Sequence, residues 1–140
     1  MDWINEEYLD NTHIGFVYCI TEIDTNMKYY GIKTQFKIKK LPQLKGRSKH
    51  EKAKRSKLKG NKRHVKVETD WRKYNSSNKK LQEKIVNHPE NYKKEIIKCC
   101  KSVTEMKTWE AYYQLHEYLF GDWNKLYNEC INLRLRIRKK

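Results

Sequence analysis

At 140 residues the chain is long enough for one modest hydrophobic core and little more. Its 32 Lys and Arg against 17 Asp and Glu leave a formal charge of +15, which favours a polyanionic partner, nucleic acid ahead of an acidic membrane surface. No apolar run approaches the roughly 20 residues of a membrane span. The acidic start Met1-Asp2-Trp3-Ile4-Asn5-Glu6-Glu7 is also unlike a secretion signal, so a soluble, cytoplasmic protein is expected.

In chain order, residues 15–23 (Gly-Phe-Val-Tyr-Cys-Ile-Thr-Glu-Ile) predict a strand from their β-branched and aromatic content. Asp24-Thr25-Asn26 predicts a turn, and Met27 to Thr34 a second strand, so the short connection makes an antiparallel hairpin. Residues 37–66 then hold fourteen Lys or Arg and one acid, Glu51, so almost the whole charge imbalance is local. With Gly46, Gly60, Pro42 and few apolar residues, that segment reads as a loop or a marginal helix. Its self-repulsion calls for a partner that neutralises it. Contacts to phosphates give affinity without base choice and a steep salt dependence.

Beyond the basic segment, Ser76 or Ser77 is expected to cap a helix from about 78 to 87, with Leu81 and Ile85 on its apolar stripe, ended by His88-Pro89. Residues 92–100, centred on Ile96-Ile97, predict a third strand. A longer helix, 104–120, starts at Ser102 or Thr104 and stops at Gly121. The end of the chain alternates Ile131, Leu133, Leu135 and Ile137 with Asn132, Arg134, Arg136 and Arg138, the pattern of a half-buried strand with a basic outer face. The expected class is α+β: a small antiparallel sheet with helices packed on it, in a single domain over 1–140 with a basic insertion at about 37–66. Cys19, Cys99, Cys100 and Cys130 lack the paired spacing of a zinc site and read as buried free thiols of a reducing compartment.

The hairpin carries a resemblance. Phe16-Val17-Tyr18, ten residues, then Tyr29-Tyr30-Gly31 and Ile32-Lys33-Thr34 resembles the paired tripeptides of the GIY-YIG nuclease superfamily. Downstream, Trp71-x-x-Tyr74-x-Ser76-Ser77, the Ile-Ile strand and a Glu-bearing helix are similar to the compact GIY-YIG proteins of bacteriophages, over roughly residues 14–137. The resemblance implies about three central antiparallel strands flanked by helices. It also implies phosphodiester hydrolysis in DNA, double-stranded DNA first, at one divalent cation, Mg²⁺ or another such as Mn²⁺, by a monomer or a dimer.

The resemblance assigns the metal to a late-helix glutamate, here Glu110, and action on water and phosphate to the hairpin tyrosines, here Tyr18 and Tyr29. Residue chemistry agrees on the types. A tyrosine among cations can accept a proton, a sparse carboxylate site leaves a magnesium ion open to water and substrate, and Lys or Arg stabilises the transition state. Glu110 falls at the edge of an apolar helix face marked by Met106, Trp109, Tyr113 and Phe120, where a carboxylate needs a partner: a metal ion, an arginine or simply a boundary lysine. Tyr18 and Tyr29, eleven apart in a hairpin, share one face, while Tyr30 points to the other. The family's usual arginine falls where the lysine-rich insertion stands, so Lys33 and Arg72 are the basic candidates, with Arg63-His64 behind them. The resemblance gives Asn128, or else Asn132, the late phosphate-holding asparagine. Lys37, Lys39, Lys40, Lys45, Arg47, Arg55, Arg63, His64 and Asn128 are expected to bind phosphate.

Two other functions fit the same composition. One is a non-catalytic basic protein that grips nucleic acid through 37–66 and the Arg134, Arg136, Arg138 row. The other is an adaptor that keeps the nuclease fold and binds protein through aromatic surface, drawing on four Trp, ten Tyr and three Phe.

Overall fold

In the computed structural model, residues 1–41 and 63–131 are described. The described residues form two compact units, one of residues 1–35 with 70–131 and one of residues 36–41 with 63–69. The larger unit contains β1 (Trp3–Ile4), β2 (Gly15–Glu22), β3 (Lys28–Thr34), α1 (Lys79–Asn87), β6 (Tyr92–Cys100) and α2 (Val103–Phe120). The smaller contains β4 (Phe36–Leu41) and β5 (Arg63–Glu68). The fold is α+β, as expected.

The sheet of the larger unit runs β1-β6-β2-β3. Strands β6, β2 and β3 are antiparallel, with Tyr18 opposite Gly31 on one side and opposite Ile96 on the other. The two-residue β1 adds a parallel edge beside Lys94 and Glu95, too short for a sequence pattern to announce. Strand β2 is buried from Gly15 to Thr21 because both its faces are covered, so it shows no alternation. On one face Phe16, Tyr18, Ile20 and Ile96 pack with Trp3, Trp71 and, from α1, Leu81 and Ile85. On the other, Val17 and Cys100 pack under Met106, Trp109 and Tyr113 of α2. The register with β6 shifts between Val17 and Tyr18, leaving Ile97 as the extra residue, so that consecutive Ile97 and Lys98 both lie on the α2 face, Lys98 over the Trp109 ring.

Both helices are capped by side chains. Asn78, rather than the expected Ser76 or Ser77, caps α1 by accepting from Leu81 N at 3.3 Å. Ser76 cannot be that cap because it sits in the left-handed region (φ 99°), where its Oγ accepts from Asn78 N at 3.0 Å. Ser102 caps α2 through Glu105 N, and Gly121 ends it. Lys94 is 1% exposed, so burial lowers its pKa, and its ammonium donates to Tyr74 O (3.1 Å) and Asn75 Oδ1 (3.2 Å). A buried cation in β6 thus fixes the segment that leads into α1.

Two expectations are corrected. The ends of the basic segment are strands, not loop or helix: β4 and β5 pair antiparallel from Phe36 opposite Glu68 to Leu41 opposite Arg63. Ile38, Val65 and Val67, spaced by two among the charges, are β-formers that lysine content concealed. The four cysteines are free, but Cys130 is exposed rather than buried. The predicted strand 131–137 lies outside the described residues beyond Ile131, as do Lys45, Arg47, Arg55, Asn132, Arg134, Arg136 and Arg138. No helix among the described residues is long and apolar enough to cross a membrane.

Candidate active site

Strand β3 is an edge strand, and the chain after α2 returns along it. Tyr127 N donates to Lys28 O at 2.7 Å, and Leu126 bridges Lys28 in parallel. The Asn128 side chain then copies a strand partner. Its Oδ1 accepts from Tyr30 N at 2.9 Å and its Nδ2 donates to Tyr30 O at 2.8 Å. The anchor is completed at the hairpin end, where Tyr127 and Tyr92 donate to Glu22 at 2.6 and 3.2 Å. Those bonds hold the Glu22 carboxyl below its usual pKa, and burial, joined by the bond to Glu22, pushes Tyr127 up to about 12.

The returning segment closes one wall of a cleft of about 560 Å³. Tyr29 of β3, Ser77 and the first turn of α1, Glu110 and Gln114 of α2, and Tyr127 to Cys130 line it. Three of the residues singled out in the sequence therefore meet here: Tyr29, Glu110 and Asn128. Tyr29 and Glu110 come from opposite faces of the sheet and converge at its edge, a proximity that only the fold creates.

Glu110 is half-buried, and burial raises its pKa above the usual carboxylate value, with Lys107 and a hydrogen bond acting against that rise. Among the described residues its hydrogen-bond donor is Gln114 Nε2, at 3.1 Å, an amide shared with Tyr30 O at 3.4 Å. No Lys or Arg among the described residues stands within ion-pair distance of it. Tyr29 exchanges a hydrogen bond with Ser77 Oγ at 2.8 Å. Ser77 is held there by the left-handed turn at Ser76, whose carbonyl accepts from Gln82 Nε2.

Tyr18 shares the face of Tyr29, with ring centroids 6.2 Å apart, but it is fully buried and does not reach the cleft. Its hydroxyl has no hydrogen-bond partner of normal geometry, and burial, reinforced by Tyr74 and Tyr29, drives its pKa far upward. Neither Lys33 nor Arg72 lines the cleft. Lys33 is ion-paired with Asp70 at 2.7 Å and lies 4.2 Å over the Tyr74 ring, and exposed Arg72 stacks on Trp71 at 4.3 Å. His64 is exposed on β5, in the smaller unit.

The lysines that do line the cleft are Lys79 and Lys80. They went unnoticed in the sequence, although a signal was there. Two lysines in the first turn of a helix oppose its dipole, a local cost that wants an explanation. A phenol, a half-buried carboxylate and two ammonium groups around one opening suit a phosphate ester and a divalent cation. Among the described residues no cluster of three His, Cys, Asp or Glu forms a closed metal cage. Glu110, with Glu129 on the same cleft, nonetheless fits a magnesium-type ion, which is commonly held by one or two carboxylates with water and substrate completing its shell.

Residues 3–131 match the family model described as "Putative endonuclease segE, GIY-YIG domain". No curated protein and no solved structure matches the chain.

Proposed function

The chain belongs to the segE GIY-YIG domain family, and on that premise we propose that it hydrolyses phosphodiester bonds of duplex DNA at the Tyr29–Glu110 cleft, using a divalent cation. The observation that carries this reading is the convergence of Tyr29, Glu110, Lys79 and Lys80 on one opening. The raised pKa of Glu110 supports it further, because a half-buried carboxylate that lacks a cation is relieved by binding one. Glu110 would hold Mg²⁺ or Mn²⁺, which when bound supplies Lewis acidity at a phosphoryl oxygen.

Within this reading Tyr29, hydrogen-bonded to Ser77, orients the attacking water in line with the phosphorus. As the phenolate left once its own proton has gone to solvent, it takes up the water's proton while the P–O bond breaks and the leaving oxygen is protonated from solvent. The sequence-derived role of Tyr18 as proton acceptor passes to Tyr29, because a buried phenol with a strongly raised pKa stays protonated. Tyr18 instead supports Tyr29 from below. Lys79 and Lys80 take the electrostatic part first given to Lys33 and Arg72, meeting the negative charge that builds on the phosphoryl oxygens. Lys33 and Arg72 are left for phosphates flanking the scissile one. Asn128 acts by fixing Tyr30 and the cleft wall, not by touching phosphate. The 37–66 segment adds affinity for the DNA backbone.

Incubating the wild-type chain with supercoiled plasmid tests the proposal. Nicked product should appear with Mg²⁺ or Mn²⁺, vanish with EDTA and fall at least 100-fold for Tyr29→Phe. Salt-sensitive binding with no cleavage under any divalent ion would instead support the non-catalytic nucleic-acid-binding reading.

A further inference from the structure

A two-stranded ribbon has no second layer of its own and is marginal in water without one. The unit of β4 and β5 has an unusual surface for such an element. Lys37, Lys39 and Lys40 lie on one strand, and His64 and Lys66 on the other, all exposed. Register pairs Ile38 with Lys66, Lys40 with His64 and Lys39 with Val65. Strand alternation therefore puts Ile38, Lys40, His64 and Lys66 on one face and Lys37 and Lys39 on the other. A ribbon that merely covered a core would keep one face free of charge. Lysines on edge strands also discourage aggregation, which accounts for the cations but not for the apolar residue among them. Ile38, between Lys37 and Lys39, is 64% exposed.

We propose that the β4–β5 ribbon enters the major groove of duplex DNA with the face of Ile38, Lys40, His64 and Lys66 toward the base edges, the ammonium groups of Lys40 and Lys66 reaching out to the phosphates of the groove walls. The B-DNA major groove is about 12 Å wide and admits a two-stranded ribbon, whereas the deep, narrow major groove of an RNA duplex does not. Strands about 4.8 Å apart leave room on each side for a lysine to reach a wall. Lysines give affinity without base choice. An isoleucine against base edges favours a thymine methyl over a bare polar edge, so this arm adds a preference that phosphate contacts alone lack. The choice of DNA rests on the nuclease reading above; the groove assignment rests on the ribbon.

Binding of the metal-free wild-type chain to a fluorescent duplex of about 30 base pairs tests this. The plain duplex is compared with one carrying bulky groups at the C5 position of every cytosine, which fill the major groove. It is also compared with the plain duplex saturated by a minor-groove ligand such as netropsin. Major-groove blocking should weaken binding at least 10-fold, and the minor-groove ligand should change it less than 2-fold. Ile38→Ser should weaken plain-duplex binding 3- to 10-fold at unchanged salt slope, while Lys40→Gln should reduce the log–log slope by about 0.9. Equal binding of plain and blocked duplex, a test that leaves the protein unaltered, would overturn the proposal, as would unchanged binding by a folded Ile38→Ser chain. Groove-selective binding without metal-dependent cleavage would remove the nuclease reading alone, and cleavage with groove-indifferent binding would remove the ribbon assignment alone.

Discussion

The ring of Tyr18 lies directly against Gly31: a Cβ added at Gly31 would stand 2.5 Å from Tyr18 Cζ and closer still to its hydroxyl. The two residues face each other across β2 and β3, so the glycine of the second tripeptide is the space that the tyrosine of the first one fills. Gly31→Ala should therefore destabilise the chain by about 1–3 kcal/mol, the usual cost of overpacking, in urea denaturation. Tyr18→Phe removes a buried hydroxyl that lacks a partner, so it should be neutral or stabilising by up to about 1 kcal/mol. If Tyr18 supports rather than accepts a proton, Tyr18→Phe keeps cleavage within about 10-fold of wild type. Tyr29→Phe does not.

Glu110 should cost stability when no cation is bound. Its folded pKa is raised, so its contribution is fully present below the unfolded carboxylate value and is lost as pH rises through the raised folded value. Relative to wild type, metal-free Glu110→Gln should melt higher at pH 7 than the same comparison gives at pH 4. Adding Mg²⁺ at pH 7 should raise the melting temperature of wild type and leave Glu110→Gln unmoved. A stability advantage of the variant over wild type that does not grow between pH 4 and pH 7 would contradict the desolvation of this half-buried carboxylate.

Lys79 and Lys80 are expected to trade stability for activity. Replacing either by Gln removes a positive charge from the first turn of α1 and should stabilise the helix by about 0.3–1 kcal/mol. The same changes should slow cleavage about 10-fold or more, most plainly in the double variant, by weakening charge stabilisation in the cleft. Parallel melting curves and plasmid assays separate the two effects. Unchanged cleavage would return the electrostatic role to Lys33 and Arg72.

The fold was readable wherever local chemistry decided it. The aromatic and β-branched content of Gly15 to Thr34 gave the hairpin, Ile96-Ile97 marked the third strand, and Ser102 and Gly121 bracketed α2. Glu110 was visible as a carboxylate at the edge of an apolar helix face. What the sequence hid depends on long-range pairing. Nothing near Asn128 announces that its amide pairs with the backbone of Tyr30, 98 residues earlier. Lys33 looked available because its partner, Asp70, lies 37 positions away. Lys79 and Lys80 become site residues only because the left-handed turn at Ser76 brings the start of α1 beside Tyr29.

The Asn128 anchor gives its own expectation. Asn128→Ala removes both hydrogen bonds to Tyr30 and leaves an edge-strand N–H and C=O to find other partners. A loss of about 1–3 kcal/mol should follow, with faster amide exchange at Tyr30 and along residues 126–128. Cleavage should fall with it, because the same segment forms a wall of the cleft. Asn128→Asp keeps the acceptor for Tyr30 N but not the donor for Tyr30 O, so its stability should lie between the two.

Cleavage of supercoiled plasmid by wild type and by Glu110→Ala, at equal protein and saturating Mg²⁺, tests the central claim most directly. Wild type should nick the plasmid and the variant should lose at least 100-fold, with salt-sensitive DNA binding retained. Equal cleavage by the two proteins would contradict that claim.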